Sequence, residues 1–411
     1  MSTPTRRHAE RDDTPSDTLL RRGDLATLHA MLTERQARKA DSVVPAAAIE
    51  SRRGVLHVAG AIEPTLTDRG VSAASTAVLR PTRAADAQIA ERLGIPTAYL
   101  RRLRTDAPGV YDANVNGLLA LEPARRFLVR GLVDGPDLVP DYAPTDVADM
   151  DTTSGVLRAL LSDSYRPIED LDILMATLDG IRRSGRHVEI GTCDLSEGRM
   201  YVTVLCPEVN RLAPALLGNY RSPFSGDRGA ENPTVWSGFV FSNSETGSGR
   251  YKLVPRIVAE VCRNGITITR DAVSEVHLGG KLEAGPVRWS ADTTAKATDL
   301  ITAKTRDAVA GFLSEDYLTR QLASIEAEAE AGVPVRDVTA TVEHVATELR
   351  YSAAQSAAIL GDFISGGDRS AGGVMHAVTS AAQREDNADL AHQMEGDALR
   401  ALSLAAHHQR A

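Results

Sequence analysis

The sequence predicts an α+β fold in which a central antiparallel sheet is flanked by helices and followed by an all-helical C-terminal region. Two observations lead to this prediction. Between residues 188 and 269, short runs of alternating or continuous β-formers are separated by turn residues such as Gly198 and Gly247. After about residue 290 the pattern becomes Ala-rich and amphipathic with helical periodicity to the C-terminus, and the last predicted helix spans residues 371–402 without a break.

Composition places the chain among ordinary globular proteins. It has 411 residues, of which 43% are hydrophobic and 25% are charged, enough for two or three domains. No run approaches the roughly 20 apolar residues of a membrane helix, and the first residues lack a signal peptide's apolar stretch. We therefore expect no membrane association and a cytoplasmic location. The three cysteines, too scattered for a disulfide framework or a zinc site, are Cys193, Cys206 and Cys262.

Four regions are predicted along the chain. Residues 1–40 are polar and charged, and we expect a mobile tail with one short amphipathic helix at 19–39. Residues 41–150 form an N-terminal mixed region, residues 151–290 the central α+β domain, and residues 291–411 an acidic helical region. The elements predicted in the central domain are helices at 154–161 and 168–184, and strands at 188–192, 200–206, 235–242, 251–255 and 265–269.

The segment 83–103 has the outline of a helix-turn-helix. Gly94 interrupts two helical stretches, and Pro96 suits the first turn of the second helix, where no amide donor is required. A DNA-binding role would present to DNA the residues Tyr99, Arg101, Arg102 and Arg104. A plain helical hairpin packed on its neighbour explains the same pattern.

Charge is distributed unevenly. The formal net charge is −9, and residues 291–411 hold 10 basic against 18 acidic residues. Residues 210–270 instead hold eight basic against four acidic ones, and eight of the 17 aromatic residues lie between 200 and 290. Cations that follow phosphates and rings that stack on bases are typical of single-stranded nucleic-acid binding. The acidic helical region could serve as an interaction surface or compete for the basic sheet.

The predicted nucleic-acid-binding residues are Arg166, Trp236, Arg250, Lys252, Arg256 and Arg263, with Tyr251 and Phe239 as weaker stacking candidates. The alternative is that the aromatic rings belong to the core on one sheet face.

The segment 242–250 (SNSETGSGR) is the most unusual polar stretch. Its hydroxyl, amide and glycine groups could form a phosphate-binding nest, or only a hairpin turn. The possible polar or phosphate site comprises Tyr165, Ser242, Asn243, Ser244 and Glu245. An enzyme with a polar site around Tyr165, Arg166, Asn243 and Glu245 is the alternative function. No Walker A loop, dinucleotide fingerprint or HExxH motif occurs, so we expect neither cofactor nor metal and assign no catalytic residue.

Three blocks, LLSDSYRPIEDLDIL (160–174), FSNSETGSGRYKLVPRIVAEVCRNG (241–265) and GGDRSAGGVMHAVTSAAQRED (366–386), resemble a family of phage- and plasmid-borne proteins. This family is known as phage/plasmid-like protein, a domain of unknown function. Residues 90–103 and 107–119 look like its N-terminal part. In the last block the family usually shows a His where this chain has Gln383 and Arg384. The resemblance implies a mobile element, often near genes for DNA replication and recombination.

The order of a helix, antiparallel strands and a long helix is also similar to the core of single-strand annealing recombinases. We therefore expect a nucleic-acid-binding protein that binds or anneals single-stranded DNA in replication or recombination. Its Ala-rich amphipathic helices predict a homo-oligomer. A third possibility is a host-interaction or anti-defence protein that uses the helical region as its contact surface.

Overall fold

A computed structural model describes residues 18–62, 66–67, 70–71, 75–133, 152–165, 167–263, 265–275, 291–330 and 334–408. The strands are β1 (Thr18–Gly23), β2 (Lys39–Pro45), β3 (Ile49–Arg52), β4 (Val55–Ile62), β5 (Leu66–Thr67), β6 (Gly70–Val71), β7 (Ser75–Pro81), β8 (Arg126–Val133), β9 (Thr152–Ser162), β10 (Glu189–Ser196), β11 (Met200–Leu212), β12 (Thr234–Asn243), β13 (Tyr251–Ala259), β14 (Gly265–Thr267) and β15 (Val273–Glu275). The α-helices are α1 (Leu25–Arg38), α2 (Arg83–Leu93), α3 (Thr97–Asp106), α4 (Pro108–Leu119), α5 (Asp170–Ser184), α6 (Pro214–Leu217), α7 (Ala291–Phe312), α8 (Glu315–Glu330), α9 (Val338–Glu348), α10 (Ala353–Gly366), α11 (Ala371–Arg384) and α12 (Ala388–His408).

The predicted α+β fold, with its antiparallel sheet and helical C-terminal region, is confirmed. The central sheet has the order β1-β10-β11-β12-β13-β14, and β15 pairs with β13. All of these pairs are antiparallel. Its inner face packs on α5 and α7, because alternate residues such as Phe239, Phe241 and Tyr251 point to one side and are buried there. We call the opposite side of this sheet the outer face.

A second, mixed sheet lies in the N-terminal region. Its order is β2-β8-β9-β7-β4-β3, and β7 and β9 run parallel. Helices α2 and α4 cover one face with Ile89, Tyr111 and Val115, which are at most 1% exposed. The other face turns toward the central sheet.

The C-terminal helices close over the same core as the central sheet. Residues 371–382 of α11 are all buried, and α12 contributes Met394, Ala398 and Leu402. The apolar stripes that predicted a homo-oligomer are therefore largely covered within the chain, and self-association stays a prediction. No helix in the described part of the chain is long and apolar enough to cross a bilayer.

Two element predictions were wrong. Residues 154–161 are not helical but belong to β9, because a short apolar run buried on both faces has no period that separates strand from helix. The C-terminal helix predicted as continuous is split at residues 385–387 into α11 and α12.

The short N-terminal helix is present as α1, with Leu28 and Leu32 buried. A third prediction was wrong in part: residues 19–23, predicted as the start of this helix, belong to the edge strand β1, and residues 1–17 lie outside the described residues.

The segment 83–103 forms two helices joined at Gly94, which caps α2 in a left-handed conformation with φ +69°. Two of the arginines predicted to face DNA, Arg101 and Arg104, instead bind within the hairpin. Arg101 donates to the carbonyl of Arg83 at 2.7 Å, and Arg104 pairs with buried Asp86 at 2.6 Å. This arrangement matches the helical-hairpin alternative, and the DNA-binding role stays a prediction.

Candidate functional site

The predicted residues Arg250 and Lys252 lie at one end of the outer face. Both are exposed, and the register places Lys252 directly opposite Ser242, which is half-buried on the same face. Tyr251 points inward, and its hydroxyl lies 2.8 Å from Thr305 Oγ1. Arg199, at the end of the β10–β11 hairpin, joins them, and we call Arg199, Arg250 and Lys252 the basic end.

The basic end carries positive charge that the protein does not neutralise. Burial lowers the pKa of Lys252, and the charges of Arg199 and Arg250 lower it further. Among the described residues, no carboxylate forms an ion pair with any of these three cations. Arg199 donates from Nε to the carbonyl oxygen of Ser248 at 3.0 Å, which holds its side chain against the neighbouring turn. Three mutually repelling cations around the half-buried hydroxyl of Ser242 can accept an anion.

The predicted residues Trp236 and Arg263 meet at the other end of the outer face. Both line a cavity of about 360 Å³, in which Trp236 is half-buried. The charged residues that share this cavity are Arg228, Asp227, Glu231 and Glu260. Acidic side chains balance the basic ones here, so this end is less attractive to a polyanion.

Arg256, another predicted phosphate ligand, is only 5% exposed and is bound by the protein itself. Its Nη2 donates to Glu395 Oε1 at 2.9 Å, and its Nη1 donates to Thr203 Oγ1 at 3.1 Å. The reason is α12, which lies across the middle of the outer face and brings Glu395 over β13. The outer face is consequently not one open groove.

His392 of α12 lies between two carboxylates on the same face. Its Nε2 is 2.8 Å from Asp194 Oδ2, its Nδ1 is 3.5 Å from Glu395 Oε2, and its ring stacks on Tyr201 at 4.0 Å. Burial opposes protonation, but the hydrogen bonds to Asp194 and Glu395 outweigh it and raise the pKa of His392. Burial would likewise raise the pKa of the two carboxyl groups. His392 and Arg21 instead hold the pKa of Asp194 at about 2, and Arg256 and His392 hold that of Glu395 at about 2. This cluster fastens α12 to the sheet.

The remaining predicted residues lie in a buried polar junction between the two sheets. Asn243, Ser244 and Glu245 are at most 5% exposed, and Tyr165 is half-buried. Glu245 pairs with Arg158 of β9 and accepts the backbone N–H of Asp170 at 3.1 Å. Ser242 is the one residue of this predicted set that faces outward, and Arg166 lies outside the described residues.

Electrostatics at the junction favour a charged Glu245. Burial would raise the pKa of Glu245, but Arg158 and neighbouring groups outweigh it and hold the pKa well below its usual range. Burial and the charge of Glu245 raise the pKa of Asp170. The cavity beside Glu245 has a volume of about 10 Å³, room for one water at most. This cavity beside Glu245 is therefore too small to hold a substrate.

The polar segment 242–250 forms a closed turn. The backbone N–H of Ser248 donates to Ser244 Oγ at 2.9 Å, and Gly247 adopts φ +79° beside Leu161. Because its polar groups are used internally, the segment matches the hairpin-turn alternative better than the phosphate nest.

Sequence reasoning missed the partners of Glu245 and His392. Arg130 and Arg158 stand inside the apolar strand segments FLVRGLV and GVLRALL, and both are at most 5% exposed. A charge within a buried strand signals a buried ion pair, which could have been predicted. Asp194 and His392 carry no comparable local signal.

No group of three or more His, Cys, Asp or Glu residues in the described ranges could hold a metal ion. In comparisons with known proteins, the chain matches no family model, no curated protein and no solved structure.

Proposed function

We propose that this protein binds the phosphate backbone of single-stranded DNA in the cytoplasm and that the basic end is the contact site. The observation that carries the proposal is the group of three exposed or half-buried cations, Arg199, Arg250 and Lys252, without a carboxylate partner in the described chain. A phosphate placed among them relieves their mutual repulsion and releases counterions from the DNA.

The surroundings of the basic end suit a phosphodiester. Ser242 offers a hydroxyl on the same face, opposite Lys252 in the ladder. Arg199 and Arg250 come from adjacent hairpin ends, so the cations follow an edge rather than converge on one point. A chain of phosphates matches such an edge better than a compact anion does. The phage or plasmid origin that the sequence predicts would agree with DNA as the ligand.

Helix α12 limits how far the strand extends. Asp389, which accepts from the Tyr201 hydroxyl at 2.7 Å, and Glu395 lie over the middle of the outer face. A strand bound at the basic end meets these acidic groups before it reaches Trp236. We therefore infer a short site whose binding is weak and strongly dependent on salt.

A titration of labelled oligothymidine with the double variant Arg250→Ala/Lys252→Ala tests the proposal. Loss of two phosphate contacts should weaken binding and reduce the salt slope by about 1.4, at roughly 0.7 per phosphate for single strands. A duplex of the same length measures strand preference. Thermal unfolding of the variant should match that of the unchanged protein, because both side chains are exposed.

The matched control is Arg182→Ala/Arg183→Ala, which removes the same charge from two exposed side chains of α5 on the opposite side of the sheet. This control should bind as the unchanged protein does. If the two double variants bind equally well with the same salt slope, the basic end is not the DNA site.

The third possibility, an interaction protein, has less support. In the described C-terminal helices, the large apolar side chains classed as exposed are Leu300 on α7 and Ile364 on α10. They lie singly on different helices, whereas a docking surface needs a contiguous patch.

A further inference from the structure

A second cavity, separate from the basic end, lies where α11 and α12 meet the outer face. Strands β10, β11 and β13 form its floor, and its volume is about 230 Å³. That volume holds on the order of seven waters, so a phosphate group with part of a sugar fits. We call it the α12 cavity.

Positive charge predominates in the α12 cavity. The lining contains four guanidiniums, two carboxylates and the His392 imidazole. The carboxylates are already neutralised, since Asp194 pairs with Arg21 at 2.9 Å and Glu395 pairs with Arg256 at 2.9 Å. An excess of two positive charges remains before His392 is counted.

The two excess charges belong to Arg22 and Arg263 at the exposed rim. Arg263 also borders the Trp236 cavity, but it forms no ion pair with the described carboxylates there, Asp227, Glu231 and Glu260. Neither side chain forms an ion pair with a described residue. Both have left-handed backbones, with φ of 52° and 55°. Non-glycine residues persist in this conformation where the surroundings hold them, often at ligand sites. At Arg22 the holding contact is its backbone N–H, which donates to Asp194 Oδ1 at 2.7 Å.

Buried groups in the lining have unused hydrogen-bonding capacity. Arg256 is 5% exposed and its Nε has no acceptor among the described residues, and the donor beside Glu395 Oε2 is His392 Nδ1, at a long 3.5 Å. A buried donor or acceptor that forms no hydrogen bond, or only a long one, costs free energy of folding. Arg256 Nε is packed against Gly265 of β14, so a ligand in the cavity would pair with Arg22 and Arg263 at the rim instead.

We propose that the α12 cavity binds a phosphomonoester, with Arg22 and Arg263 as the groups that recognise the phosphate. A phosphomonoester carries about −1.5 to −2 charges at neutral pH, which matches the excess of two. Guanidinium forks bind phosphate oxygens in pairs, which suits Arg22 and Arg263 at the rim. The source is either a free nucleotide or the 5′-phosphate end of a DNA strand.

Calorimetric titration of the full chain with adenosine 5′-monophosphate, and with adenosine as the unphosphorylated comparison, tests this inference. We expect heat of binding with the monophosphate and at least roughly tenfold weaker binding of adenosine. The variants Arg22→Gly and Arg263→Gly should each weaken monophosphate binding by roughly tenfold or more. Glycine adopts positive φ readily, so neither change should lower the melting temperature.

Arg53→Gly is the matched control, because Arg53 is exposed, has φ 53° and lies in the β3–β4 turn of the other sheet. It removes the same charge and the same strain, and it should leave monophosphate binding unchanged. Absence of monophosphate binding, or equal binding by all three variants, would overturn the inference.

Two oligonucleotides of one sequence, with a 5′-phosphate and with a 5′-hydroxyl, distinguish the two sources. They are compared in the Arg250→Ala/Lys252→Ala variant, in which the basic end no longer contributes to DNA binding. Any remaining preference for the 5′-phosphate then reports on the α12 cavity alone. Preference for the phosphorylated strand that Arg263→Gly abolishes assigns the cavity to strand ends. Equal binding of the two strands, with monophosphate binding retained, assigns it to a free nucleotide.

Discussion

Glu245 and Arg158 form an ion pair between the two sheets, and each side chain is only about 6% exposed. Glu245 follows β12 of the central sheet, whereas Arg158 lies within β9 of the N-terminal sheet. Arg35 of α1 approaches the same carboxylate at 3.9 Å. A single buried carboxylate thus links three elements, and their relative position depends on its charge.

The first prediction concerns this carboxylate. Glu245→Gln removes the charge that compensates buried Arg158, and an uncompensated buried ion typically costs about 3–5 kcal/mol. We expect a loss of this size in the free energy of unfolding, measured by urea denaturation. The control is Glu50→Gln, whose ion pair with Arg52 is exposed and should contribute about 1 kcal/mol or less. Similar losses in the two variants would show that the junction is not stabilised by its charge.

The second prediction concerns the packing of Arg256 on β14. A Cβ added at Gly265 would lie 2.0 Å from Arg256 Nε and Cζ, so Gly265→Ala must displace the guanidinium from Glu395 and Thr203. Overpacking of this kind typically costs about 1–3 kcal/mol. Differential scanning fluorimetry should show a lower melting temperature.

Gly361→Ala is the control for Gly265→Ala. Gly361 lies within α10 with open space around it, and alanine is the better helix former by up to about 1 kcal/mol. We expect Gly361→Ala to leave the melting temperature unchanged or raise it. If Gly265→Ala does the same, Arg256 is not packed against β14 as described.

The strands of the central sheet could be predicted because their pattern is local. Val235, Phe239 and Phe241 alternate with outward residues, and each run ends at turn residues that stop the strand. The segment 154–161 was wrongly predicted as a helix because this local pattern is absent there. Buried on both sides, it lacks the alternation that identifies a half-exposed strand.

The candidate site could be predicted only in part, because long-range contacts decide which cations stay free. Arg256 counted toward the local positive excess, but Glu395, 139 residues later, neutralises it. Arg211 is likewise paired with Glu315 of α8. Neither partner has a local signature, so charge counting over residues 210–270 overstated the exposed positive charge. Arg250 and Lys252 remained available because no described carboxylate forms an ion pair with either of them.

The third prediction separates the two faces of β13. Tyr251 is 1% exposed with its hydroxyl near Thr305 and Thr177, whereas Lys252 is exposed. Tyr251→Ala should cost about 3–5 kcal/mol of stability, the usual loss for a buried aromatic side chain. The fraction that stays folded should bind DNA normally. Lys252→Ala should weaken DNA binding and leave the free energy of unfolding unchanged. If both variants lose stability, or both lose DNA binding, the assignment of the two faces is wrong.

The last prediction concerns pH and follows from His392. The folded-state pKa of His392 is raised above its ordinary value of 6.5, so its protonation contributes stability that is fully present below about pH 6.5. This contribution is lost as pH rises through the folded-state pKa. The pKa values of Asp194 and Glu395 are about 2, so their contribution is present above about pH 4.5 and is lost only in acid. The charged or titratable groups around the ring are Arg21, Arg22, Asp194, Tyr201, Arg256, Asp389 and Glu395.

Urea unfolding of the unchanged protein and of His392→Gln, measured at intervals from about pH 6 to about pH 8.5, tests this sign. Glutamine keeps one donor for Asp194 but cannot gain a proton. The unchanged protein should therefore be the more stable of the two near pH 6, because the imidazolium compensates two buried carboxylates there. The difference should shrink steadily as pH rises, since neutral imidazole leaves Asp194 and Glu395 dependent on Arg21 and Arg256. A difference that stays constant over this range would mean that His392 contributes packing on Tyr201 rather than charge.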